Sequence, residues 1–312
     1  MKKIYILLLL LTLTGCKYSF ELDYQNAQPM VAIKSYICAD SLVSIDISKV
    51  VPLAKLETTD STLINPYYSL KCNGVEVGCD ELRPGISKLS LRTDAFKSGD
   101  KIEIVFESDD TETAVASTII PSRFPEYELK LGKSNNAERN LKISYKDDPA
   151  TDDWYGAMVK WKGIQGRHVG LDEMQYVEVT DQDIFPPSGY NDLQIEPEAY
   201  TPILISFKGE YLYVWRDLDE DDDEYDLSFN YRPHYGETVE VKNTEIQCTL
   251  FKLSEEMYRY LFAQFDSKNN PFLEAGMSSP AFTYSNVRNG VGYLCGYSVV
   301  HSEWIKDNLF EE

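Results

Sequence analysis

The densest chemistry in this chain lies between Arg216 and Asp226, with acids at Asp217, Asp219, Glu220, Asp221, Asp222, Asp223, Glu224 and Asp226. Closely spaced carboxylates can fill the oxygen shell of a calcium ion, about six to eight ligands. Asp217, Asp219, Asp221 and Asp223 are the candidate metal ligands. The EF-hand frame fails, because counting from Asp217 puts Asp222 where glycine should turn the loop and Ser228 where a bidentate glutamate should sit. A solvated acidic turn between two strands explains the run without a metal. No cofactor is therefore expected, calcium being the ion such a shell would take. Just upstream, Tyr211, Tyr213 and Trp215 alternate with Leu212 and Val214, so the three aromatics share one face of a strand. Exposed, they are candidate ligand-binding residues that could stack on a sugar or peptide; turned inward, they are ordinary sheet packing.

Cys16 carries a different chemistry. Lys2 and Lys3 form a charged start, Ile4 to Leu11 an apolar run, and Leu13-Thr14-Gly15-Cys16 a lipobox. Residues 1–15 read as a lipoprotein signal peptide, and Cys16 as the lipid attachment site, with acyl chains contributing about 0.8 kcal/mol per buried methylene. The apolar run is too short for a spanning helix, which needs about 20 residues. Residues 16–29 are polar and aromatic without a period, and serve as a tether. Losing Lys2 and Lys3 takes the formal net charge from -21 to -23. That balance excludes nucleic acid as a partner, since phosphates demand a basic face.

Other reactive side chains form no catalytic pattern. His168, His234 and His301 are the only histidines and none has a ligand-spaced partner. Gly276-Met277-Ser278-Ser279-Pro280 lacks the second glycine of a nucleophile elbow. No enzyme is expected. Of six cysteines, five remain once Cys16 is acylated. The Asn73-Gly74 turn between Cys72 and Cys79 predicts a two-residue hairpin with Cys72 opposite Val75 and Cys79 opposite Tyr68. Four strand steps then separate the sulfurs by about 13 Å, too far for a bridge. Cys248 and Cys295 lie on apolar strands and read as buried free thiols, with a bridge between those strands as the alternative.

Strands must position all of this. Seven short alternating runs between residues 30 and 121 have the spacing of an immunoglobulin-like sandwich: Val31 to Cys38, Leu42 to Ile47, Tyr67 to Cys72, Val75 to Cys79, Ser87 to Leu91, Lys101 to Phe106 and Thr113 to Ile120. Pro121-Ser122-Arg123-Phe124-Pro125 marks a boundary, because paired prolines hold the backbone extended. Residues 122–312 then read as a larger antiparallel β domain, sandwich or open barrel, with a long loop over Thr180 to Thr201. Its one helix is predicted over 254–266. Ser254 caps it, Glu255 and Glu256 complement its dipole, Leu253 and Tyr258 stand as a hydrophobic staple, and Met257, Leu261 and Phe265 form the buried stripe. The fold class is thus mainly β.

Asn270-Pro271-Phe272, Ser285-Asn286-Val287 and Gly290-Val291-Gly292 resemble the C-terminal signature of a Bacteroidota outer-membrane lipoprotein family of unknown function. The resemblance spans the mature chain, including an immunoglobulin-like N-terminal part. It implies an outer-membrane location and the company of TonB-dependent transporters, and it implies no reaction. In such lipoproteins acids directly after the acylated cysteine mark export to the cell surface. Here Lys17-Tyr18-Ser19-Phe20 intervenes before Glu21 and Asp23. The expected function is an outer-membrane, lipid-anchored, cell-surface component that binds a ligand or partner for a TonB-dependent uptake system. The competing class is a structural or adhesive surface lipoprotein without a small ligand.

Overall fold

The computed structural model describes residues 28–52, 61–81, 88–93, 96–131, 139–148, 151–169, 173–185, 203–208, 210–216, 224–233, 240–269 and 284–306. The leader, Cys16, residues 17–27, Asn270-Pro271-Phe272, Ser278, His234 and the acids from Asp217 to Asp223 lie outside the described residues.

Seven strands open the fold: β1 (Met30–Cys38), β2 (Val43–Val50), β3 (Tyr67–Cys72), β4 (Val75–Glu81), β5 (Lys88–Thr93), β6 (Lys101–Ser108) and β7 (Thr111–Ile119). Period-two patterning sets their faces. In β6, Ile102, Ile104 and Phe106 are fully buried while the positions between them are not. β5, β2 and β1 form part of one sheet and β7, β6, β3 and β4 part of another. Ile33, Ile45, Ile47, Leu70, Ile104 and Phe106 meet between them, each contributing about 1.5–3 kcal/mol by burial. Asn73 and Gly74 both take left-handed backbone, φ 53 and 79, as the two-residue turn requires. Cys72 faces Val75 as the turn predicts, but Cys79 faces Ser69 and not Tyr68. The reason is a bulge: Val77 is unpaired between Glu76, opposite Lys71, and Gly78, opposite Leu70.

Beyond Pro121 come β8 (Tyr127–Leu131), β9 (Arg139–Lys146), β10 (Trp154–His168), β11 (Met174–Phe185), β12 (Ile203–Phe207), β13 (Glu210–Arg216), β14 (Glu224–Pro233), β15 (Glu240–Leu253), α1 (Glu255–Asn269), β16 (Val287–Arg288), β17 (Gly290–His301) and β18 (Ile305–Lys306). The first residues of the expected loop, 180–185, are strand instead, because β11 continues to Phe185, where Lys160 and Trp161 of β10 pair with Asp183 and Gln182; residues 186–202 lie outside the described residues. Polar composition hid those strand residues. The helix continues to Asn269, three residues past its predicted end.

These elements stack in three layers. Leu141, Ile143 and Tyr145 of β9 close over Tyr155, Val159 and Trp161 of β10 and over β13 and β15. On the opposite face, Met257 and Leu261 of α1 bury against Met158, Phe251, Cys295 and Tyr297. The sheet path runs from β5 to β8 without closing among the described residues. The outer strands of this path fold back over the central ones, which gives a sandwich-like pair of β layers.

Chain order and spatial order part company at the C-terminus. β17 runs parallel to β1 from Gly290 to Tyr297 and then antiparallel to β15 from Tyr297 to His301, so a single strand joins the first sandwich to the second unit. β16 adds an edge to the first unit by pairing with β7. The side chain of Asn286 fixes this return: its Nδ2 donates to Leu294 O at 2.8 Å and Ser117 O at 3.1 Å, and its Oδ1 accepts the Leu294 amide at 2.9 Å. Close backbone approach explains the glycines that follow. A Cβ at Gly292, whose φ is +113, would lie 2.1 Å from Ile33 O.

The helix start is tied into the same junction. Ser254 Oγ accepts the Met257 amide at 3.2 Å, as an N-cap does, and also accepts the Gly296 amide at 3.2 Å. Thr118 of β7, buried to 2% exposure, donates to Glu256 at 3.0 Å and accepts the Gly296 amide at 3.1 Å.

Candidate functional site

The aromatic strip of β13 is turned into the core. Tyr213 and Trp215 are 4% and 5% exposed and Tyr211 is half-buried against the same cluster. Trp215 Nε1 donates to Tyr145 Oη at 2.9 Å, which gives the indole its partner inside the sandwich. The intervening Leu212 and Val214 fill the second core on the other face of the strand. Both faces of β13 are therefore covered, and the expected ligand-stacking surface is packing. Cys16 and Asp217, Asp219, Asp221 and Asp223 fall outside the described residues, and among those described no three metal-ligating side chains converge. Cys38, Cys72, Cys248 and Cys295 are free thiols. Cys248 and Cys295 sit in different cores on opposite faces of the central sheet, which excludes a bridge between them. Burial pushes the Cys248 thiol well above its ordinary range. His168 and His301 are exposed at strand ends.

A concave feature among the described residues lies elsewhere, at the end of the first sandwich where β1 begins. A cleft of about 480 Å³ opens there between Gln28 and Met30, the β6–β7 turn at Asp109 and Asp110, Glu112 at the start of β7, and Asn289 in the β16–β17 turn. Its acidic rim is braced from behind. Lys49, with a side chain 4% exposed, pairs with Asp110 and donates to Thr62 O at 3.0 Å. Burial pushes the Asp110 carboxyl up, but hydrogen bonds from Lys49, Ser108 and the Ile64 amide outweigh it and hold the group below the usual carboxylate range. Asn65 Nδ2 donates to Asp109 Oδ2 at 2.7 Å, and Asn289 Nδ2 donates to Thr113 O at 3.2 Å. Three segments distant in sequence meet here, and a mouth lined by carboxylates and amides suits a cationic or hydroxyl-rich group.

A second cluster is absent from any sequence pattern. Tyr36 of β1, Tyr260 of α1 and Tyr293 of β17 pack together, with Tyr260 and Tyr293 ring centroids 4.1 Å apart and Tyr36 and Tyr293 4.7 Å apart. Beside them Lys208, in left-handed backbone at φ 53, donates to Tyr297 Oη at 2.8 Å and lies 5.2 Å from the ring centroids of Phe207 and Tyr297. With 22 tyrosines in the chain, only the fold separates these from the rest. The β12–β13 turn is thereby fastened onto β17 and the first unit.

A family model described as "Domain of unknown function (DUF4249)" matches residues 17–303. No curated protein matches. Among solved structures, the human OSCAR ligand-binding domain aligns at 7% identity over 72% of this chain and 89% of that one, with a TM-score of 0.23. A likeness at that level carries no argument about fold or ligand.

Proposed function

The chain belongs to the family described as Domain of unknown function (DUF4249), and from that premise we propose that it is a Bacteroidota-type lipoprotein of the outer membrane. Acylated at Cys16 and exposed at the cell surface, it binds a ligand or accessory partner for a TonB-dependent transporter. The lipobox Leu13 to Cys16 supports the anchor. No described helix is long and apolar enough to cross a membrane.

The observation that carries the partner half of the reading is the place of the acidic cleft. Gln28 lines it, and only eleven residues, 17–27, separate Gln28 from Cys16, a reach of at most about 40 Å at full extension. A site on so short a leash works close to the membrane, where an embedded transporter would be met. The competing structural or adhesive class draws on the edge strand β4, where Val75 and Val77 are 66% and 53% exposed, yet the bulge at Val77 breaks the regular edge that strand addition requires.

The test is recovery of the protein from native membranes with identification of what accompanies it. Cys16→Ala is expected to move it out of the membrane fraction with loss of the acyl mass. Asp109→Asn with Glu112→Gln is expected to leave the anchor intact and remove the co-purifying transporter. Retention of Cys16→Ala in the membrane would sink the anchor, and a co-purifying set unchanged by the cleft substitutions would sink the docking assignment.

A further inference from the structure

At one corner of the second unit a polar cluster bridges the two β layers and plays no part in the reading above. Asp147 follows the last residue of β9, in the outer layer; Asp153 immediately precedes β10, Tyr155 is the second residue of that strand and Lys252 is the last but one of β15, in the central layer. The ring of Tyr155 is fully buried, with its centroid 5.2 Å from Tyr145 and 5.1 Å from Phe124. Its hydroxyl emerges at the rim and donates to Asp147 Oδ1, while Asp153 Oδ2 lies 3.4 Å from the same hydroxyl. Asp153 Oδ2 is already held by the Lys252 ammonium at 2.6 Å and the Thr151 hydroxyl at 3.0 Å, and the side chains of Lys252 and Asp153 are each 12% exposed.

Charge in this cluster does not balance when both carboxyls are ionised. Lys252 neutralises Asp153, so an ionised Asp147 adds an unmatched negative charge beside an aromatic core. Oδ1 of Asp147 accepts the Asp148 amide at 2.9 Å as well as the tyrosine hydroxyl. Oδ2 is buried and has no hydrogen-bond partner among the described residues. A buried carboxylate oxygen without a donor is costly. One proton removes the imbalance without breaking a contact: a neutral Asp147 donates from Oδ1 to Tyr155 Oη, and Tyr155 turns its own proton toward Asp153.

We propose that Asp147, Tyr155, Asp153 and Lys252 form a proton-operated clasp between the two β layers, closed when Asp147 holds a proton and loosened when it releases it. Burial is the main influence that raises the Asp147 carboxyl above its ordinary range, and the neighbouring Asp153 adds to it; hydrogen bonds from Tyr155 and the Asp148 amide, and the Lys252 charge, oppose the rise without cancelling it. Among the described residues, the charged groups around Asp147 are Lys146 and Asp148 on its own segment, Asp153 just before β10 and Lys252 of β15; Arg216 of β13 and Glu224 of β14 stand at the same end by register, opposite Trp154 and Lys146. The sign follows from linkage. A carboxyl raised in the folded state binds its proton more tightly than in the unfolded chain, whose value is about 3.9. Stability from this proton is full below that value and is lost as pH rises through the folded one.

The deciding experiment follows unfolding of the full-length chain in detergent between about pH 4 and 8, for wild type and Asp147→Asn. Wild type is expected to lose folding equilibrium constant relative to the variant as pH rises, tenfold for each unit by which the folded carboxyl stands above the unfolded one. Parallel curves would overturn the clasp. A second measurement stands even if Asp147→Asn does not fold: infrared titration of the carboxyl C=O band of the wild type, with Tyr155→Phe as comparison. One carboxyl titrating above the main group, and shifted in Tyr155→Phe, supports the proposal; a single common titration refutes it.

Discussion

At the scale of single residues, burial decides what a side chain can do. Trp215 carries the same indole whether it stacks on a sugar or on a neighbouring strand, but at 5% exposure with its N–H on Tyr145 it has no free face to offer. Trp215→Ala is therefore expected to cost about 3–5 kcal/mol of stability, measured by denaturant unfolding. Trp215→Phe, which keeps the ring and forfeits the donor, should cost less. A Trp215→Ala protein as stable as wild type would show that the strip is not core. The same logic separates Cys248 from Cys295, two apolar thiols whose strands share a sheet but whose side chains point to opposite faces.

At the scale of elements, β17 is the strand that other strands depend on. Its middle residues, Leu294 to Ser298, are buried on both faces, as expected of a strand with neighbours on each side and layers above and below. Its glycines are packing residues as much as turn residues. Gly292→Ala places a methyl 2.1 Å from Ile33 O on a backbone at φ +113, whereas Gly74→Ala at φ +79 meets nothing within 4 Å. Gly74→Ala is expected to cost only the backbone strain, about 1–3 kcal/mol. Gly292→Ala adds the displacement of β1 and should lower the thermal midpoint by clearly more. Equal midpoints for the two variants would mean that β1 and β17 are not in register as described.

For the whole molecule, the consequence is that the first sandwich is not made from the first third of the chain alone. Eight residues of β1, Val31 to Cys38, pair with β17, and Val287 and Leu294 enter the first core. A fragment covering residues 28–121 would expose that edge of β1 and lose those side chains, against a stability margin of only about 5–15 kcal/mol for a domain. It is expected to lack cooperative unfolding by circular dichroism and slow amide exchange, while the full chain shows both. A fragment with a sharp transition would establish that residues 30–121 fold alone. The formal charge of -21 acts at this scale too, opposing self-association through mutual repulsion.

Much of this protein is legible without coordinates, because local rules act over a few residues. Alternation located every one of the first seven strands, Asn73-Gly74 determined a hairpin with both residues left-handed, and Ser254 before Glu255 and Glu256 determined where the helix begins. What the local rules could not supply is the partner of each face. Period two marks Tyr211, Tyr213 and Trp215 as sharing a side, yet a strand covered on both sides looks the same as one with a wet face. The bulge at Val77 shifted Cys79 by one residue, since nothing within the strand reports an unpaired position. The cleft at Gln28, Asp109 and Asn289, the corner at Asp147 and Lys252, and the parallel pairing of β1 with β17 all join residues a hundred or more apart, or across layers. Such contacts depend on which sheets stack and which edges remain open, and only the tertiary structure decides that.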